Sequence, residues 1–179
     1  VVYFGFDKFV LAPKREAALV TQTTQAVTEK VASQERSENA KSIAVLAFEN
    51  RSADKDNEYF SDGISEEILN ALVKVADLKV AGRTSSFYFK GKNESLITIG
   101  ETLGVANVLE GSVRKQGEKV RITAQLIRTK DGFHLWSETY DRKLENVFDM
   151  QAELAGAIAK ALELPLGLGG DSALVSERS

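Results

Sequence analysis

Val120-Arg121-Ile122-Thr123-Ala124-Gln125-Leu126 alternates strictly between apolar and polar side chains. That is the pattern of a β-strand with one face in a core and the other wet. Gln116-Gly117-Glu118 before it and Lys130-Asp131-Gly132 after it are turn signals, and Asp-Gly suits a hairpin. Working outward, 106–115 and 133–140 read as neighbouring strands, so the three form an antiparallel meander.

Upstream the pattern changes. Ile43-Ala44-Val45-Leu46-Ala47-Phe48 is an unbroken apolar run, as expected of a strand buried on both faces. Ile64, Ile68, Leu72 and Val75, joined by Leu69, recur at helical spacing. Ser61 or Asp62 is the predicted cap of that helix, with Glu66 and Glu67 in its first turn. Leu78-Lys79-Val80-Ala81 reads as a second strand, followed by Phe87, Tyr88 and Phe89, and Leu96, Ile99 and Leu103 mark a short helix that stops at Gly104. Downstream of the meander, Val147, Met150, Leu154, Ile158 and Leu162 form the stripe of a last helix, ended by Pro165. The order β-α-β-α-β-β-β-α over 42–164 predicts an α/β (α+β) domain: a mixed sheet of about five strands packed by helices.

The ends read differently. Tyr3, Phe4, Phe6 and Phe9 followed by Pro13, Lys14 and Arg15 resemble the end of a membrane helix at the lipid–water boundary. A short amphipathic segment packed on the domain is the alternative for the same residues. Residues 1–14 are therefore expected to be a membrane exit and 15–41 a polar, partly helical stalk. Gly167, Gly169 and Gly170 make 165–179 a flexible linker to a downstream region.

Composition narrows the chemistry. The 179 residues contain no Cys, which excludes disulfides, thiolate nucleophiles and Cys-based zinc sites, and the single His, His134, would have to serve any triad. A net charge of −3 gives no basic footprint for nucleic acid.

A string of ordered blocks carries a family resemblance: 42–50, Glu58 to Gly63, Gly82 to Phe87, Phe89 to Lys92, Val108 to Arg114, Val120 to Leu126 and His134 to Arg142. Together they resemble the TolB-like amino-terminal domain family, related to FlgO-like domains, across roughly 42–163. One departure is Ala47, where that family usually has Pro before Phe48. The resemblance implies an extracytoplasmic domain of a bacterial membrane protein, set after a membrane helix and before tetratricopeptide repeats. A winged-helix or nucleotide cyclase domain would lie on the cytoplasmic side. It implies no catalytic residues.

Two patches are candidate interaction or anion-binding surfaces. Arg83-Thr84-Ser85-Ser86 with Lys90-Gly91-Lys92 could hold an anion through Arg83, Ser85, Lys90 and Lys92, although the spacing is not that of a phosphate loop. A polar strand end and a solvated turn are the plainer reading. His134, Trp136, Glu138 and Tyr140 would share one strand face, as an exposed aromatic contact patch or as core, and His134 could act as a proton switch. Glu66 with Glu67 as an acid–base pair, and Asp54, Asp56, Asn57 and Glu58 as a calcium loop, are weaker than the readings of helix terminus and solvated loop. The expected function is accordingly a non-catalytic interaction or relay domain with no cofactor and no metal. Its expected partners are a protein or the downstream repeats of the same chain, with a homodimer through free sheet edges as a variant. A small-ligand sensor, or an accessory part of a cyclase whose catalytic domain lies elsewhere, are the alternatives.

Overall fold

The computed structural model describes residues 7–163, with side chains described at 17–34 and 39–163. It divides at 38/39 into two units. The first holds most of one helix, α1 (Asp7–Ala40). The stretch 15–41, read as partly helical, is helical up to Ala40. No Gly interrupts it, and Thr21, Thr23, Thr24 and Thr28 each return a hydroxyl hydrogen bond of 2.7–2.8 Å to the carbonyl four residues back. Val20, Val27 and Val31 are exposed on it. No helix among the described residues is long and apolar enough to cross a membrane. Residues 1–6 of the expected membrane exit, and Pro165 with the expected linker, lie outside the described residues.

The second unit is the sheet domain. Its strands are β1 (Ser42–Val45), β2 (Glu49–Asn50), β3 (Lys79–Val80), β4 (Asn107–Gln116), β5 (Lys119–Arg128) and β6 (His134–Lys143). The order across the sheet is β3-β1-β4-β5-β6, with β2 also on β4. β1 runs parallel to β3 and β4, and β4, β5 and β6 are antiparallel. The helices are α2 (Glu58–Val73), α3 (Arg83–Phe87), α4 (Leu96–Leu103) and α5 (Met150–Ala161). The mixed sheet and the meander match the reading of the sequence, with one short strand more.

Two apolar clusters hold these layers. The larger packs Ile64, Ile68 and Leu72 of α2 and Leu154 and Ile158 of α5 against Leu109, Val113, Ile122 and Leu126 of the sheet. The smaller sits on the other face of β1 and β4, where Ala44 and Val108 meet Phe89, Ile99 and Val105. β1 is therefore buried on both faces, as its unbroken apolar run requires. β5 alternates over 120–126 because its apolar side chains there join the main core.

Three local differences from the sequence reading have physical causes. First, the run 43–48 does not continue as one strand. β1 pairs Val45 with Leu109 and β2 pairs Glu49 with Ser112, so one extra residue is looped out between them. The chain turns there because Phe48, fully buried, folds over Gly111, while its N–H is taken by Ser65 Oγ at 2.8 Å. Second, α2 starts a turn earlier than Ser61 or Asp62. A 3-10 turn at Lys55–Asn57, capped by the Asp54 carboxylate accepting from Asp56 N–H, leads into it. Glu66 and Glu67 thus lie in mid-helix rather than in the first turn. Third, 83–87 is a short helix and not a strand end, with Ser86 N–H bonded to Gly82 C=O and Tyr88 N–H to Thr84 C=O. α4 follows the sequence closely: Ser95 Oγ accepts from Thr98 N–H, and Gly104 closes the helix at φ 65°.

Candidate functional site

The residues singled out in the sequence do not form one site. Arg83 Nε lies 3.1 Å from the Glu66 carboxylate, and its guanidinium stands 4.9 Å from the Phe87 ring centroid. Lys90 Nζ is held between Glu58 at 2.6 Å and Asp62 at 2.7 Å. Burial alone would lower the Lys90 pKa, but hydrogen bonds and charge from Asp62 and Glu58 outweigh it and hold the ammonium above its ordinary value. Lys92 rests 3.0 Å from the Tyr88 ring centroid. Ser85 is exposed on α3, whereas the Ser86 hydroxyl is buried without a hydrogen-bond partner. The expected anion patch therefore has its two main cations, Arg83 and Lys90, already neutralised by acids of α2.

The aromatic strip is corrected as well. The β5–β6 register places Leu126 opposite Trp136 and Ile127 opposite His134, so Leu135 is an inserted bulge residue. The bulge reverses the alternation, so His134 faces away from Trp136 and Tyr140. Tyr140 is buried and Trp136 half-buried against the main core, their rings 6.5 Å apart. Burial, then the charges of Glu138 and Glu153, push the Tyr140 hydroxyl up against the opposing pull of Arg142. Trp136 and Tyr140 complete the core; His134 and Glu138 are exposed.

What the meander leaves open is its other face. The registers align four rows across β4, β5 and β6: Glu110-Gln125-Ser137, Ser112-Thr123-Thr139, Arg114-Arg121-Asp141 and Gln116-Lys119-Lys143. Every member is polar. Thr123 Oγ1 and Thr139 Oγ1 meet at 3.3 Å, and Arg121 holds Asp141 with contacts of 2.7 and 3.1 Å. The hydrogen bond from Arg121 keeps the Asp141 carboxyl below its ordinary value. The third and fourth rows border an open groove of about 490 Å³ at the β4–β5 turn, also lined by Val120 and Arg142.

β6 is an edge of this sheet among the described residues. Leu144 N–H bonds Glu118 C=O at 2.7 Å, and antiparallel alternation from that pair turns the N–H and C=O groups of Ser137, Thr139, Asp141 and Lys143 outward. Sequence reasoning missed this face because its residues carry no motif. Its signal lies in pairing: once Gly117 and Glu118 are taken as the turn, Arg114 must oppose Arg121. Among the described residues, no group of three or more His, Cys, Asp or Glu is placed to hold a metal ion.

Comparison with known proteins places this architecture. Residues 39–157 match the family described as the second domain of HilA/YgeH-like transcriptional regulators. A protein of Rhizobium meliloti (strain 1021) named "Putative adenylate cyclase 3" is 48% identical over 128 residues, which are 72% of this chain and 22% of that protein. The chain thus spans about a fifth of the relative's length. Among solved structures, lipoprotein GNA1162 from Neisseria meningitidis superposes with a TM-score of 0.51 at 19% identity, over 69% of this chain and 96% of that one. TolB from Acinetobacter baumannii gives 0.49 at 16% identity, over 69% and 28%. The likeness to lipoprotein GNA1162 concerns the fold alone. By the match over 39–157, the chain belongs to the HilA/YgeH-like transcriptional regulator second-domain family.

Proposed function

We propose that this chain is a non-catalytic interaction and relay domain, held outside the bacterial cytoplasmic membrane by its N-terminal segment, that takes up a partner along β6. The observation that carries the reading is the ten-residue outer strand, with four residues presenting main-chain donors and acceptors outward beside the four polar rows of the sheet. An extended segment added there would gain a ladder of hydrogen bonds, and alternate side chains along the edge would set its specificity. The segment could come from the downstream part of the same chain, from a second copy or from an envelope protein. The aromatics and bases at 3–15 support the tether, and the single His and absent Cys support a role without chemistry. Membership of a regulator family, with a relative named for adenylate cyclase, supports an output domain elsewhere in the protein whose activity follows occupancy of β6. Such a relay requires the partner to bind two states with different affinity.

The test uses Thr139→Pro in the full-length protein. Proline is tolerated on an edge strand where its N–H faced solvent, yet it removes a donor that an added strand needs. A photoreactive residue at Ser137 should give a discrete cross-linked adduct in cells that Thr139→Pro abolishes, while the same group at exposed Asn70 on α2 gives none. Equal adducts from both positions, or an adduct indifferent to Thr139→Pro, contradict strand addition.

A further inference from the structure

The anion site that the sequence placed at Arg83 and Lys90 is filled from within, but a second cationic cluster is not. Of the side chains lining the 490 Å³ groove at the β4–β5 turn, five are cationic (Arg114, Lys119, Arg121, Arg142 and Lys143) and one, Asp141, is anionic. Asp141 is committed to Arg121 and Arg142 to Glu153 at 2.7 Å. Arg114, Lys119 and Lys143 have no ion-pair partner among the described residues. This corner is strongly positive in a chain whose net charge is −3.

The pairing makes the excess costly. Arg114 lies directly opposite Arg121, and Lys119 directly opposite Lys143. Like charges in facing positions of antiparallel strands destabilise the pair. Asp141 relieves the first pair at one end, and nothing described relieves the second. A concave site that gathers unpaired guanidinium and ammonium groups across three adjacent strands presents many donors to one ligand.

We propose that this groove binds a phosphate-bearing ligand, a phosphomonoester or diphosphate group bridging Arg114, Lys119 and Lys143. A phosphate carries enough charge and enough acceptor oxygens to serve three cations at once, and arginine's fork matches its geometry. A carboxylate has two oxygens and one charge. The proposal stands apart from strand addition along β6: it concerns side chains at one end of the open face, not the main chain of the edge.

The experiment titrates the full-length protein with inorganic pyrophosphate by calorimetry, and measures co-sedimentation with vesicles of phosphatidylcholine alone or mixed with phosphatidic acid. Saturable pyrophosphate binding should weaken by about tenfold or more in the double variant Arg114→Gln/Lys119→Gln. Asp141→Asn should tighten it, because the lone competing acid is gone. Lys130→Gln, an exposed lysine outside the groove, should leave it unchanged. All these side chains are exposed, and equal unfolding midpoints would show that the variants fold. Retention on phosphatidic acid vesicles with the same dependence on variants assigns the phosphate to a lipid headgroup; pyrophosphate binding without retention assigns it to a soluble ligand, and either supports the site. Binding of neither probe, binding unaffected by the double variant, or tighter binding of an acidic peptide than of pyrophosphate overturns it.

Discussion

Replacing Gly111 with alanine adds one methyl group at the point where β4, β5 and Phe48 converge. A Cβ built there would lie 2.1 Å from Thr123 C=O and 2.6 and 2.9 Å from two carbons of the Phe48 ring, where ordinary contact begins at 3.4 Å. The oxygen belongs to the backbone of β5, which is fixed in ladders to both β4 and β6, and the ring is fully buried. Neither can withdraw by more than an ångström without opening the main core. Overpacking of this kind costs about 1–3 kcal/mol. Working against it, alanine lowers the entropy of the unfolded chain, which contributes about 0.4–1 kcal/mol where the native backbone accepts it. The steric term wins, and Gly111→Ala should destabilise by about 2 kcal/mol. Gly63 supplies the opposite case. It lies in α2 with nothing within 4 Å of a built Cβ, so Gly63→Ala should stabilise by about 0.5–1 kcal/mol. Urea unfolding followed by the fluorescence of Trp136, the single tryptophan and part of this core, reads both. An unfolding midpoint for Gly111→Ala at or above that of the parent, or shifts of the same sign in both variants, would refute the packing described here.

Two further effects follow from polar groups. Ser65→Ala removes the acceptor of the Phe48 N–H and leaves that donor buried, so it should cost about 1–3 kcal/mol by the same assay; a loss within 0.5 kcal/mol, about what an ordinary surface change gives, would mean that water or another acceptor replaces the hydroxyl. At alkaline pH, Lys90 and Tyr140 both hold their protons more tightly folded than unfolded, so each contributes fully below its unfolded value of 10.5 or 10.0 and loses that contribution as pH rises through its folded value. The urea midpoint should fall from about pH 10 upward, and the decline should be shallower in Lys90→Met and in Tyr140→Phe; identical profiles in all three proteins would show that neither group titrates differently on folding.

Much of the fold was legible because burial patterns are local. The alternation in β5 announced a strand open on one side, the start of the apolar run at 43–45 a strand covered on both, and the stripe from Met150 to Ile158 a helix laid on the core. What the sequence hid depends on partners far along the chain. Phe48 leaves the strand direction because Gly111 makes room for its ring and Ser65 takes its N–H. Lys90 is engaged by an acid, because Asp62, 28 residues earlier, comes back to meet it. A single bulge at Leu135 turns His134 away from Trp136, and no composition rule foretells a bulge. The cations of the open face were invisible for the same reason: Arg114, Arg121 and Lys143 look like ordinary wet positions until the register sets them side by side.

Hydrogen exchange along β6 in the full-length protein tests the claim that this strand receives a partner. Amides of Glu138, Tyr140 and Arg142 point into the β5 ladder, whereas those of Thr139, Asp141 and Lys143 point outward. Protection of the outward set to the level of the inward set is the result expected of an occupied edge. Rapid exchange at every second residue, with slow neighbours between, would show a bare edge and contradict it.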